Sequence, residues 1–140
     1  MSNDTRWGKW LARNINFFDL GEDNEISNES EIAEKVTKII EKFDFFMMTD
    51  YILESLILLR QKFCWTFDDI IFFSVNERSS KDQSDIFSDD LESKIKQWNF
   101  ADWILYKKAN ESFHNELKEY GIEKMAVEKT ELERRIEAWK

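Results

Sequence analysis

Apolar residues are distributed along this chain in two different ways, and the difference sets the expected architecture. They run almost unbroken through Phe43-Asp44-Phe45-Phe46-Met47-Met48-Thr49, and again through Ile70-Ile71-Phe72-Phe73, a stretch rich in β-branched and aromatic residues. Runs of strand length without alternation suit strands covered on both faces, the habit of parallel sheets. Between them, Tyr51 to Leu59 is apolar on most faces at helix length. The stretch from Phe43 to Arg78 therefore reads as strand, buried helix, strand. Elsewhere the apolar positions fall at helical spacing. Ile32, Val36, Ile39 and Ile40 predict a helix ending at Lys42, with cap residues offered between Ser27 and Ser30. Ser88 starts another, with Asp89 and Asp90 in its first turn and Leu91 and Ile95 on one face. Leu105, Ala109, Phe113 and Leu117 mark a stripe along Phe100–Tyr120, which Gly121 terminates. A last helix over Ile122–Trp139 is expected to bury Met125, Leu132, Ile136 and Trp139 and to pair Glu131 with Arg135 on its surface. Ile15–Leu20 reads as a short extended segment closed by Gly21, and Met1–Ala12 shows no periodicity. The polar tract Ser79–Asp85 is the clearest loop, and residues 79–87 are predicted to be mobile. The expected fold class is α/β, mostly helical with a few short parallel strands.

Composition narrows the classes. A chain of 140 residues is long enough for a single domain with a real core, and 15% aromatic residues, with 12 Phe and 6 Trp, exclude a disordered chain. The formal charge of −9 excludes a phosphate-backbone binder, so no nucleic-acid partner is expected. The absence of proline fits a largely helical chain. A single cysteine, Cys64, rules out an internal disulfide framework and a thiolate metal site. Standing between Phe63 and Trp65, it reads as a small buried apolar residue. Asp68-Asp69 is no metal pair, because adjacent residues point in different directions. The only histidine, His114, lies on a helical pattern with no identifiable catalytic partner. The longest apolar candidate, Tyr51–Leu59, is far too short to cross a bilayer, so no membrane contact by this chain is expected. Most of the six tryptophans are expected in the core.

The central stretch also carries a family likeness. Phe43-Asp44, four apolar residues, Asp50-Tyr51, Glu54-Ser55-Leu56, a Leu-rich turn, Cys64-Trp65 and Asp68-Asp69-Ile70 together resemble the galactose 3-O-sulfotransferases, the galactosylceramide sulfotransferase family. Further matching words are Asn76 and Arg78, then Trp98-Asn99-Phe100-Ala101-Asp102 followed by Leu105-Tyr106, Asn110 and Phe113. Arg13-Asn14 with Phe17-Phe18-Asp19-Leu20-Gly21 is similar to the preceding segment of the family. The resemblance runs from about Arg13 to Met125 and departs at Asp50, where the family tends to Glu, and at Leu53, where it tends to Asp. It implies the C-terminal portion of a P-loop-like sulfotransferase fold, with the two runs as orphan strands of a larger sheet. It further implies sulfate transfer from PAPS to the 3-hydroxyl of a terminal galactose on galactosylceramide or a related glycan, at a Golgi membrane.

The resemblance sets chemical requirements that the residues meet only in part. Sulfuryl transfer needs cationic and backbone donors around the nucleotide, and a general base for the acceptor hydroxyl. The family's strand–loop–helix around the phosphosulfate, with its lysine, and its later Arg and Ser for the 3′-phosphate are not found in this sequence. Gly121-Ile122-Glu123-Lys124 has a Gly-x-x-Lys form but joins two helices, where a cap explains the glycine. The chain by itself is therefore expected to be inactive, and the missing membrane anchor implies a different address or an incomplete chain. Ligands of doubly wound sheets sit beyond the carboxyl ends of strands. That rule selects Asp50 after the first run and Asn76 and Arg78 after the second, with Glu54 one turn on, as contacts to substrate or donor. Arg78 offers a planar fork to phosphate or sugar hydroxyls, and Asn76 an amide to galactose. The structural alternatives are a helix cap at Asp50, an ion pair at Glu54 and loop ties at Asn76 and Arg78. Capping and packing are also the expected work of Trp98, Asn99 and Asp102. An oxidising Golgi setting would let Cys64 pair with a cysteine outside this chain. The competing class is a non-catalytic helical interaction module or degenerate paralogue.

Overall fold

The computed structural model describes residues 13–72 and 88–139, and every regular element among them is helical. In chain order these are α1 (Ile15–Asp19), α2 (Glu29–Lys42), a 3-10 turn (Thr49–Tyr51) leading into α3 (Ile52–Lys62), a second 3-10 turn (Asp68–Ile70), α4 (Asp89–Trp98), α5 (Phe100–Tyr120) and α6 (Ile122–Ala138). No described residue forms a strand, so the expected parallel strands and the sheet they were to belong to are corrected.

The reasons are local. Phe43 closes α2, its N–H reaching Ile40 O at 3.4 Å. Phe43 and Met47 are 47% and 42% exposed, so the run is not covered on both faces. Where a sheet would supply a neighbouring strand, the Ser55 hydroxyl serves both backbone groups of Met48, accepting from its N–H at 2.9 Å and donating to its carbonyl at 3.1 Å. At the second run, Asp69 accepts from the Thr66 N–H and hydroxyl, both at 2.7 Å. Ile70 N–H then bonds to Phe67 O and closes a 3-10 turn. Side-chain bonding to nearby backbone here overrides β propensity. The last residue of that run, Phe73, and the predicted mobile loop over 79–87 lie outside the described residues.

Two compact units divide the chain, Met1–Asp44 with Asp85–Ala109 and Phe45–Ser84 with Asn110–Lys140, and α5 contributes its N-terminal half to one and its C-terminal half to the other. In the first, Phe17, Ile32, Val36, Ile39, Ala101 and Leu105 form the core. Asn28 caps α2 by accepting from the N–H groups of Ser30 and Glu31. The Ile15–Leu20 segment is a helical turn, not an extended one, because Asp102 of α5 caps it from outside. Its carboxylate accepts from Asn16 N–H at 3.2 Å and Phe17 N–H at 2.8 Å.

In the second unit α3 packs against α6 and against both 3-10 turns. Ile57, Leu58, Ile70, Phe113, Met125 and Leu132 are buried. Trp139, expected inside, is 64% exposed. Cys64 is exposed as well, contrary to the buried reading, and is a free thiol. Its backbone sits in the left-handed region at φ 54°, ending α3 as a Schellman motif. Trp65 N–H reaches Arg60 O at 2.9 Å and Cys64 N–H reaches Gln61 O at 3.3 Å. No helix among the described residues is long and apolar enough to cross a membrane.

Candidate functional site

Of the four residues selected from the sequence, two can be placed. Asp50 lies exposed in the 3-10 turn ahead of α3, and the N-cap position belongs to Tyr51, whose side chain makes no capping bond. The N-cap position of α3 thus falls one residue beyond the expected Asp50. Glu54 accepts from Lys129 Nζ at 2.6 Å, an ion pair that ties α3 to α6. Asn76 and Arg78 lie outside the described residues.

Glu54 and Lys129 line a cleft of about 330 Å³ with Tyr51, Leu117, Ile122, Met125 and Ala126. The Tyr51 ring stacks on Phe113 at 5.6 Å and meets the His114 edge at 5.1 Å. This is a mainly apolar cleft with one ion pair on its wall. Asp50 is not among its lining residues.

Farther along the same two helices, Arg60 pairs with Glu128, which also accepts from the Tyr120 hydroxyl at 2.6 Å. Burial and that bond to a carboxylate push the Tyr120 hydroxyl up to about 12. Phe67 faces two guanidinium groups, Arg60 at 4.2 Å and Arg135 at 5.2 Å from its centroid. Arg135 in turn holds Asp68 at 2.7 Å and Glu131 at 2.6 Å. Hydrogen bonds from Arg134 and then Arg135 lower the Glu131 carboxyl to about 2. The adjacent carboxylates thus do diverge, Asp68 to Arg135 and Asp69 to Thr66. Each cation in this network has a carboxylate partner, which makes it a structural lattice.

Asn14 is 1% exposed and stands in the left-handed region at φ 46°. Its amide oxygen accepts from Ala101 N–H at 3.1 Å and Asp102 N–H at 3.4 Å, and its amide nitrogen donates to Asn24 O at 3.1 Å. Asn99 Oδ1 accepts from the Asn14 N–H at 2.9 Å. Asn14 therefore caps α5 while Asp102 caps α1, each helix start satisfied by the other's side chain. These are words that carried the family likeness, and their observed work is capping.

Beside this junction lies a second cleft, of about 380 Å³, lined by Arg13, Lys94, Gln97 and Trp98. The sequence reading did not select it as a site. The spacing of Lys94, Gln97 and Trp98 at i, i+3 and i+4 puts them on one helix face and was the available signal.

The Gly-x-x-Lys sequence at Gly121 is a junction between helices. Gly121, at φ 98°, separates α5 from α6 directly, and Lys124 Nζ sits 4.1 Å over the Tyr120 ring. Among the described residues no group of three or more His, Cys, Asp or Glu is placed to hold a metal ion.

Comparison with known proteins brings in the lineage. The galactose-3-O-sulfotransferase family model matches residues 1–139. Galactosylceramide sulfotransferase of Mus musculus is 34% identical over 86% of this chain, and that of Homo sapiens 33% over 83%. Galactose-3-O-sulfotransferase 2 of Mus musculus is 30% identical over 76%. The matched region is 28%, 27% and 27% of those relatives, respectively. No solved structure matches the chain. The expectation of orphaned sheet strands fails, and the assignment rests on the sequence match alone: this chain belongs to the galactose-3-O-sulfotransferase family.

Proposed function

We propose that this chain is part of a carbohydrate sulfotransferase that moves the sulfuryl group of PAPS to the 3-hydroxyl of a terminal galactose, on galactosylceramide or a related glycan, at the Golgi membrane. The observation that carries the reading is the family match over residues 1–139. In the reaction, the galactose oxygen attacks sulfur, the bond from sulfur to the 5′-phosphate oxygen breaks, and the hydroxyl proton passes to a general base. Charge grows on the departing phosphate, so the donor contacts must be cationic or backbone N–H groups. In this reading those contacts lie chiefly outside the described residues, with Asn76 and Arg78 as this chain's candidates. The described helices serve as scaffold, and Glu54 supports that scaffold through Lys129.

A transfer assay tests this. Radiolabelled PAPS and galactosylceramide are supplied to the 140-residue chain, and to a chimera in which it replaces the matching 121 residues of the mouse galactosylceramide sulfotransferase. The isolated chain is expected to transfer nothing and the chimera to label the lipid. A folded chimera that still binds PAP yet labels no galactolipid overturns the proposal.

A further inference from the structure

We propose that the cleft formed by Arg13, Lys94, Gln97 and Trp98 is a sugar subsite that takes a galactopyranoside. That the ring is galactose rests on the sulfotransferase reading above; that it is a pyranose rests on the chemistry of the cleft. Trp98 ends α4 with 46% of its surface exposed. The Arg13 guanidinium lies 5.5 Å from the indole centroid, and such a contact fixes the orientation of the ring. Arg13 is itself held by Glu25 at 3.2 Å, while its Nε is buried and donates to nothing. The arrangement gives one oriented aromatic surface, one planar cation and, at the rim, the Gln97 amide and Lys94 ammonium, the latter 2.6 Å from Asp90. A volume of about 380 Å³ falls within the range of small-molecule sites, about 300–1,000 Å³.

This set of groups matches a hexopyranose better than a flat or purely anionic ligand. A sugar ring offers C–H groups to an aromatic face and hydroxyls to amide and ammonium donors around its edge. In galactose the axial 4-hydroxyl leaves the hydrogens on carbons 3, 4 and 5 on one side, which makes a continuous apolar patch for an indole. In glucose those hydrogens alternate between faces. Galactose is therefore the preferred epimer. The three other described tryptophans lack this setting: Trp65 stacks on Phe63, Trp103 on Tyr106, and Trp139 is 64% exposed at the end of α6.

The test is a titration of the full 140-residue chain with methyl β-galactopyranoside, followed by NMR of the indole N–H signals, with Trp98 assigned from the peak lost in Trp98→Phe. Saturable binding with a Kd on the order of millimolar is expected, moving the Trp98 indole and Gln97 side-chain signals. Trp98→Ala should abolish the response. Gln97→Ala should weaken it about tenfold, the loss of one hydrogen bond in a formed site. Both residues are on the surface, and unchanged far-UV circular dichroism checks that the variants remain folded. Methyl β-glucopyranoside should bind at least about tenfold more weakly, or about 1.4 kcal/mol. Galactoside binding that leaves the Trp98 signal unmoved overturns the subsite, as does equal response to both epimers or no response at all. Failure of the sulfotransferase reading would appear separately, as an inactive folded chimera in the transfer assay.

Discussion

Asn14 and Asp102 are the residues on which the first unit's geometry turns. Each is a short polar side chain that satisfies the start of the helix carrying the other. Removing Asn14 strands the N–H groups of Ala101 and Asp102 in a buried setting, so Asn14→Ala should cost about 2–3 kcal/mol. Asp102→Ala, at a more open position, should cost about 1–2 kcal/mol. The double variant should fall short of their sum, because both changes act on one junction. Urea midpoints with unchanged m-values would show this; strict additivity would mean that the two caps are independent. Cys64 works in the opposite sense. It holds a left-handed conformation that disfavours any side chain by about 1–2 kcal/mol, and its own side chain is exposed. Cys64→Gly should therefore raise stability by about 0.5–1 kcal/mol, read from the same midpoints. A drop in midpoint would mean that the thiol contributes more than its exposure suggests.

At the scale of elements, α3 and α6 are joined by buried Leu and Ile residues and by two cross-helix ion pairs, Arg60 with Glu128 and Lys129 with Glu54. Tyr120 extends the first pair to α5 by donating to Glu128. Its hydroxyl titrates near 12 in the folded chain and near 10 when unfolded, so its contribution is complete below pH 10 and is lost as pH climbs towards 12. Between ~pH 10 and ~pH 12 the native chain should lose more stability than Tyr120→Phe does; parallel declines would contradict the assigned bond. The helices were the legible part of this architecture. Of the stripe Leu105, Ala109, Phe113 and Leu117, the first three are buried and Leu117 is part-buried, and Ser88 caps α4, the helix it was read to start. The strands were not, because Phe43–Thr49 has β-like composition but its backbone is met by one serine seven residues on from Met48. Nor was α1, whose cap comes from 86 residues away in sequence. Period and composition report local preference; a capping bond across that distance leaves no periodic trace.

For the whole molecule, the words that carried the family likeness divide between the two units and do different physical work in each. Asn14, Asn99 and Asp102 fix helix starts in one; Tyr51 and Glu54 pack and pair in the other. The candidate contacts were chosen by a rule about the carboxyl ends of strands; no strand stands among the described residues, and Asn76 and Arg78 lie outside them. The cleft at Trp98 became visible only once α4 was folded beside Arg13. The most direct test is the position of sulfate on the product made by the chimera with the mouse enzyme, determined by proton NMR of the released galactoside. The account predicts that the largest downfield shift falls on the hydrogen of galactose carbon 3, with smaller ones at its neighbours; sulfate at a different hydroxyl, or a folded chimera that releases no sulfated sugar, would contradict it.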